Sequence, residues 1–148
     1  MAGSRIKAAT EALCMCLSSL PEGSKFNVFS FGNSYTSLHS RSVALDDRAK
    51  DSAVGALKRM KADMGGTGIL GVLRAAAAAS AAPGGANTDG AHPPSPRVVL
   101  LFTDGKVGNT ADVVSFVHGD SLRTGARYFA FGIGEGASRG LVCGVAEA

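Results

Sequence analysis

The 148-residue sequence has no tryptophan and only three cysteines, and charged residues make up 18% of it. Cys14, Cys16 and Cys143 are too few and too unevenly spaced for a disulfide framework or a zinc site. No run approaches the roughly 18 consecutive apolar residues of a membrane-spanning helix. The sequence therefore predicts ordinary reduced thiols and no membrane span.

Strong charge of one sign is also lacking. Fifteen Lys and Arg residues against twelve Asp and Glu residues give a net charge of +3, and the basic residues are scattered along the chain. Nucleic-acid-binding proteins concentrate positive charge on one surface, so we predict no nucleic-acid partner. The first apolar segment is short and contains Glu11, which is atypical of a signal peptide. A cytoplasmic location is therefore favoured.

The residues that are present are typical of one globular domain. Apolar residues form 45% of the sequence, and a chain of this length buries about 68–70% of its unfolded surface. We predict a single domain over residues 1–148, with a core of small and aliphatic side chains. Residues 83–96 are rich in proline and glycine and are predicted to form a surface loop within that domain.

Apolar residues recur with the spacing of helices in five segments and with the patterns of strands in four. The predicted helices cover residues 4–20, 46–60, 69–82 and 110–117 and a segment that follows Ser138; the predicted strands cover residues 25–31, 35–39, 97–102 and 127–134. The predicted capping residues of three helices are Asp46 or Asp47, Thr110 and Ser138. The first two strands are adjacent in the chain and predict a hairpin, whereas helices separate the others. The fold class is therefore α/β: a Rossmann-like three-layer sandwich with a mostly parallel sheet and one antiparallel edge strand.

Two segments place oxygen ligands where the strands of a parallel sheet end, which is where such sheets bind ligands. Asp104 follows a buried-type strand, and Thr67 lies in the glycine-dense turn of residues 65–68. Carboxylate and hydroxyl oxygens suit Mg²⁺ rather than zinc or copper. We therefore predict that Thr67 and Asp104 meet at one edge of the sheet as metal ligands.

The Gly-Thr-Gly turn at residues 66–68, followed by a hydrophobic strand that ends in Thr103-Asp104-Gly105, resembles a von Willebrand factor A (vWA) domain. Three later segments, residues 108–110, 128–134 and 137–139, are similar to the subgroup found in inter-alpha-trypsin inhibitor heavy chains. The resemblance implies a protein-interaction domain with a Mg²⁺-dependent adhesion site. It implies that Thr67 and Asp104 bind the metal, and that a carboxylate of the protein partner completes the coordination.

The sequence departs from this family at its start. The Asp-x-Ser-x-Ser run that supplies further ligands is absent, as is the buried strand before it, and residues 1–5 are similar to the segment that succeeds this run in the family. We therefore expect an N-terminally incomplete vWA domain, with two central strand edges left unpaired, that folds poorly by itself. Because Thr67 and Asp104 supply a single negative charge, we also expect weak or no Mg²⁺ binding.

Two other functions are compatible with the sequence. The first alternative is a degenerate scaffold that binds partners without metal, or an inactive fragment. The second is an NAD-dependent enzyme, because residues Gly66 to Gly71 match the dinucleotide-binding motif G-x-G-x-x-G. It is less favoured, because no strand is predicted directly before the first glycine. His118 and Glu135 are interpreted as surface residues, and no catalytic constellation is found. We therefore predict a non-enzymatic domain.

Overall fold

The computed structural model describes residues 3–61, 65–80, 97–105 and 107–148. The proline- and glycine-rich loop predicted at residues 83–96 lies outside this range, as does the end of the third predicted helix. None of the helices in the described ranges combines the length and the apolar character needed to cross a membrane.

The described chain combines helices and strands in an α/β fold, as predicted. The helices are α1 (Ser4–Ser19), α2 (Asp47–Arg59), α3 (Ile69–Ser80), α4 (Thr110–Thr124) and α5 (Arg139–Glu147). The strands are β1 (Lys25–Phe26), β2 (Phe29–Phe31), β3 (Tyr35–Ser37), β4 (Val43–Ala44), β5 (Val98–Thr103) and β6 (Arg127–Gly132).

Two helix starts were predicted correctly from their capping residues. The Asp46 carboxylate accepts a hydrogen bond from the Ala49 amide at 2.6 Å, and the Ser138 hydroxyl accepts one from Leu141 at 3.2 Å.

The predicted cap of α4 was wrong. Asn109 precedes that helix, and Thr110 is its first residue, with a hydroxyl that donates to the Val107 carbonyl at 3.3 Å. α4 also continues beyond its predicted end near Val117 and stops at Gly125, which has a φ of 69°.

The parallel pairing of β5 and β6 confirms the predicted parallel sheet. The register aligns Leu100 with Phe129 and Thr103 with Gly132. Helices α4 and α5 pack against one face of this pair, where Leu101 and Tyr128 are buried. The carboxyl ends of both strands therefore lie together, and the loops that follow them leave from the same edge.

The strand predicted over residues 25–31 is divided into β1 and β2. β1 pairs with β4, a strand that the sequence did not predict, and β2 pairs with β3 in the predicted hairpin; both pairs are antiparallel. The Asn27 side chain causes the break: its amide donates to the His39 carbonyl at 2.7 Å, and its oxygen accepts from His39 and Val28 amides. In the described ranges, the strands therefore form three pairs rather than one continuous sheet.

Two clusters of buried apolar residues form the interior. One joins α3, α4, α5, β5 and β6, and its fully buried members are Ile69, Val113, Val117 and Leu141. The other joins α1, α2, β1 and the segment after β4 through Leu17, Phe26, Leu45, Ala53 and Leu57. Phe31 of β2 packs against the first cluster and so connects the hairpin to it.

A buried carboxylate fixes the amino end of the parallel pair. Asp120 of α4 bonds with Arg97, which precedes β5, with Arg123 at 2.7 Å, and with the Tyr128 hydroxyl at 2.6 Å. Asp120 is only 3% exposed, and the two arginines compensate its charge. Burial raises the pKa of Tyr128 above its ordinary value, although Arg97 and Arg123 oppose this shift.

Candidate functional site

Asp104 stands directly after β5, at the carboxyl edge of the parallel pair. Thr103 before it is buried, and its hydroxyl accepts a hydrogen bond from the Gly105 amide at 3.3 Å. This hydrogen bond stabilises the turn that contains Asp104, and the buried Thr103 anchors that turn in the core. The Asp104 side chain itself is 18% exposed.

The turn of residues 65–68 approaches from the start of α3. Gly65 and Gly66 have φ values of 55° and 59°, a conformation that glycine adopts without steric cost. Asn33, in the turn of the β2–β3 hairpin, packs against Gly66 so closely that a Cβ there would lie 2.7 Å from its Cγ. The Gly68 amide donates to the Gly32 carbonyl at 2.7 Å. The hairpin turn therefore supports the turn that carries Thr67.

Three loops converge around Asp104. A Cβ on Gly105 would lie 2.9 Å from Thr67 Oγ1, and a Cβ on Gly136 would lie 3.3 Å from the Asp104 carbonyl oxygen. The structure thus brings together the two residues that the sequence singled out, although their role as metal ligands stays a prediction. We call the surface formed by Arg5, Thr67, Asp104 and Gly136 the ligand face.

Arg5 was not predicted to belong to this surface. It lies in the first turn of α1, and its Nη1 is 3.3 Å from Asp104 Oδ2. Gly134, with a φ of 80°, lies beside it, since a Cβ there would be 3.3 Å from Arg5 Nε. The two partners are 99 residues apart in the chain, so no local pattern could have indicated the contact.

Two other polar residues considered from the sequence, Glu135 and His118, are exposed. Glu135 is exposed in the loop after β6, as expected for a solvated acid. His118 is exposed within α4 rather than at its end, and its Nδ1 lies 3.2 Å from a main-chain oxygen of Ala148. The described residues that precede the Gly66 turn form helix α2, whereas a dinucleotide-binding turn follows a strand.

The arrangement of strand ends, glycine turn and Asp104 agrees with comparisons to known proteins. A family model for the von Willebrand factor type A domain matches residues 1–148. The chain belongs to this family.

Relatives of this vWA domain occur in distant organisms. It is 39% identical over 144 residues to human von Willebrand factor A domain-containing protein 5A, covering 97% of this chain and 17% of that protein. It is 32% identical over 147 residues to human von Willebrand factor A domain-containing protein 5B1, covering 99% of this chain and 11% of that protein. It is 30% identical over 148 residues to a von Willebrand factor A domain-containing protein of Dictyostelium discoideum, covering 100% of this chain and 15% of that protein. The chain thus spans less than a fifth of the length of each.

The described residues of this vWA domain fit a complete Mg²⁺ site poorly. Mg²⁺ requires near-octahedral oxygen coordination and usually binds through carboxylates. Thr67 and Asp104 together bring one negative charge, which the Arg5 guanidinium balances. Within the part of the chain that the structure describes, no group of three or more His, Cys, Asp or Glu side chains could hold a metal ion.

Proposed function

We propose that this vWA domain is a non-enzymatic protein-interaction domain that binds its partner at the ligand face. The observation that carries the proposal is the convergence of Thr67, Gly105 and Gly136 around Asp104. Ligands of open α/β sheets bind at this edge, because loops from several strands meet there. Membership of the vWA family supports an interaction role.

Mg²⁺ is proposed to bind weakly or not at all. Thr67 and Asp104 are the residues that would hold it, and a bound ion would present a positive charge to an acidic side chain of the partner. The pairing of Arg5 with Asp104 favours the metal-independent form of the function, because the only carboxylate among these four residues already faces a cation. Assignment to the inter-alpha-trypsin inhibitor heavy-chain subgroup is supported by the similarity of residues 108–110, 128–134 and 137–139.

Calorimetric titration with MgCl₂ tests the weakness of the metal site. We expect no saturable heat at micromolar Mg²⁺, since two side chains and one charge replace few of the waters that Mg²⁺ holds. Asp104→Asn is expected to leave the titration curve unchanged. Tight binding that disappears in Asp104→Asn would contradict the proposal.

A chimeric chain provides the positive control for this titration. It carries an added upstream strand that ends in Asp-x-Ser-x-Ser, which supplies a further carboxylate and two hydroxyls. We expect this chimera to bind Mg²⁺, and Thr67→Ala and Asp104→Asn to abolish that binding. A chimera that binds Mg²⁺ independently of Thr67 and Asp104 would remove both residues from the site.

A further inference from the structure

Arg5 places a fixed positive charge at the ligand face. Its Nη1 lies 3.3 Å from Asp104 Oδ2, and Gly134 lies against its Nε and Cδ. The Arg5 side chain nevertheless stays 51% exposed, whereas that of Asp104 is 18% exposed. The guanidinium is thus oriented by contacts on one side and open to solvent on the other.

The chemistry of the guanidinium determines what it can bind. Arginine carries five N–H donors in a planar fork, has no acceptor, and stays charged at every physiological pH. The contact with Asp104 occupies only part of this fork. Two parallel N–H donors match the two oxygens of a carboxylate, which makes carboxylates the preferred side-chain ligands of arginine.

A divalent cation is a poorer ligand for the same place. It would share Asp104 with Arg5, and the two like charges would repel each other across a short distance. An acidic group of a partner is instead attracted by the Arg5 guanidinium, and Asp104 already orients that guanidinium before the partner binds. Less side-chain entropy is then lost on binding.

We propose that Arg5 is the residue through which the ligand face binds an acidic side chain of a protein partner without a metal ion. This inference rests on the proposed function, because it uses the same face. It deepens that function by assigning the positive charge to the chain itself. Arg5 is then the specificity-determining residue, and Asp104 is a positioning residue that orients it.

Nuclear magnetic resonance of the whole ¹⁵N-labelled chain in EDTA tests this assignment. The probes are the end-blocked peptide Gly-Gly-Glu-Gly-Gly and the same peptide with Gln in place of Glu. We expect saturable shifts of the Arg5 Nε–H signal and of the Gly134 and Gly136 amides with the Glu peptide only. Arg5→Gln is expected to weaken that binding about tenfold or more, because it removes charge-assisted hydrogen bonds. Arg5→Lys keeps the charge without the fork and should bind with intermediate affinity.

Lys7→Gln is the matched control, because it removes one positive charge from the same helix. Lys7 is exposed, and its Nζ lies 3.9 Å from Glu11 Oε1. This variant should bind the Glu peptide within about twofold of the wild-type affinity, because residues two apart on a helix point in different directions and an exposed charge contributes little. Equal affinity for the Glu and Gln peptides, or equal affinity of the wild type and Arg5→Gln, would overturn the assignment of Arg5.

The same titration in Mg²⁺ separates failure of this inference from failure of the proposed function. If the Glu peptide still binds to Arg5→Gln and this binding requires Thr67, the ligand face is the binding surface but Arg5 is not the residue that binds the peptide. No response at residues 65–68, 103–105 and 134–136 in either buffer overturns both proposals.

Discussion

Gly66 combines a left-handed backbone conformation with a close neighbour. Its φ is 59°, and a Cβ would collide with the Asn33 side chain. Gly71 offers a contrast in the same region: it lies within α3, and a Cβ there would meet nothing within 4 Å. The two glycines therefore have opposite expected responses to alanine.

Gly66→Ala is expected to lower the free energy of unfolding by about 1–3 kcal/mol, from backbone strain and the displacement of Asn33. Gly71→Ala should raise it by about 0.5–1 kcal/mol, because alanine is the better helix former. Urea denaturation followed by circular dichroism measures both. A Gly66→Ala variant as stable as wild type would show that the turn relaxes without cost.

At this scale, the sequence predicted the meeting of Thr67 and Asp104 but not their neighbours. Strand ends can be predicted from local patterns, and ligands of parallel sheets bind where the carboxyl ends of the strands meet. These two facts were enough to predict that Thr67 and Asp104 lie close together. Arg5 and Asn33 join the site through contacts between distant parts of the chain. Arg5 looks like any surface cation of an amphipathic helix, and Asn33 like an ordinary turn residue.

The elements β5, β6 and α4 are joined by the buried Asp120 cluster. Arg97 precedes β5, Tyr128 lies in β6, and both bond with Asp120 of α4. The Tyr128 hydroxyl is a donor in this cluster only while it is protonated. Because its pKa is raised, the stability of the contact between these three elements depends on pH.

The contribution of Tyr128 to stability is expected to disappear in alkali. Its pKa in the folded chain lies above the ordinary value of 10.0, so the unfolded chain loses this proton first. The contribution is fully present below the unfolded pKa and is lost as the pH rises through the folded one. Urea denaturation from about pH 9 to about pH 11 should show the stability advantage of wild type over Tyr128→Phe shrinking with pH. A difference in unfolding free energy that does not change with pH would mean that Tyr128 has the same pKa in the folded and unfolded chains.

The extents of elements were harder to predict than their types. All five helices and the β5–β6 pair follow from apolar periodicity and caps. The division of residues 25–31 does not, because Asn27 replaces backbone pairing with side-chain bonds to His39, twelve residues away. The longer α4 was likewise missed, since Asp120 inside it is stabilised by Arg97 and Tyr128 from other elements.

On the scale of the molecule, one face of the β5–β6 pair carries exposed apolar side chains among the described residues. Helices α4 and α5 cover the opposite face, whereas Leu100 and Phe129, which are register partners, are 37% and 41% exposed. Val98 and Phe131 extend this surface. Contiguous apolar surface of this kind binds hydrophobic dyes and promotes self-association.

Leu100→Lys is expected to lower the fluorescence of bound anilinonaphthalene sulfonate (ANS) and to raise the concentration at which the chain self-associates. Leu122→Lys is the matched control, because Leu122 is 76% exposed on α4 and its loss should change neither property. ANS titration and analytical ultracentrifugation measure these effects. Equal responses of the two variants would indicate a general effect of charge rather than a local apolar surface.

The α/β class was predictable because it depends on the order of elements. Whether strands join into one sheet depends on partners that no local pattern specifies: β2 and β5 do not pair with each other in the described ranges. The described interior correspondingly consists of two apolar clusters, and Phe31 of the hairpin packs against the first of them.

Asp104 and the Asp120 cluster lie at opposite ends of β5, and its six residues separate them by about 20 Å. The proposed recognition surface and the structural anchor therefore use different side chains, at opposite ends of the strand. Residues 65–68 and 134–136 could be exchanged for those of another family member without disturbing Arg97, Asp120 or Tyr128. The domain is thus suited to loop grafting, in which a new binding preference is transplanted onto an unchanged base.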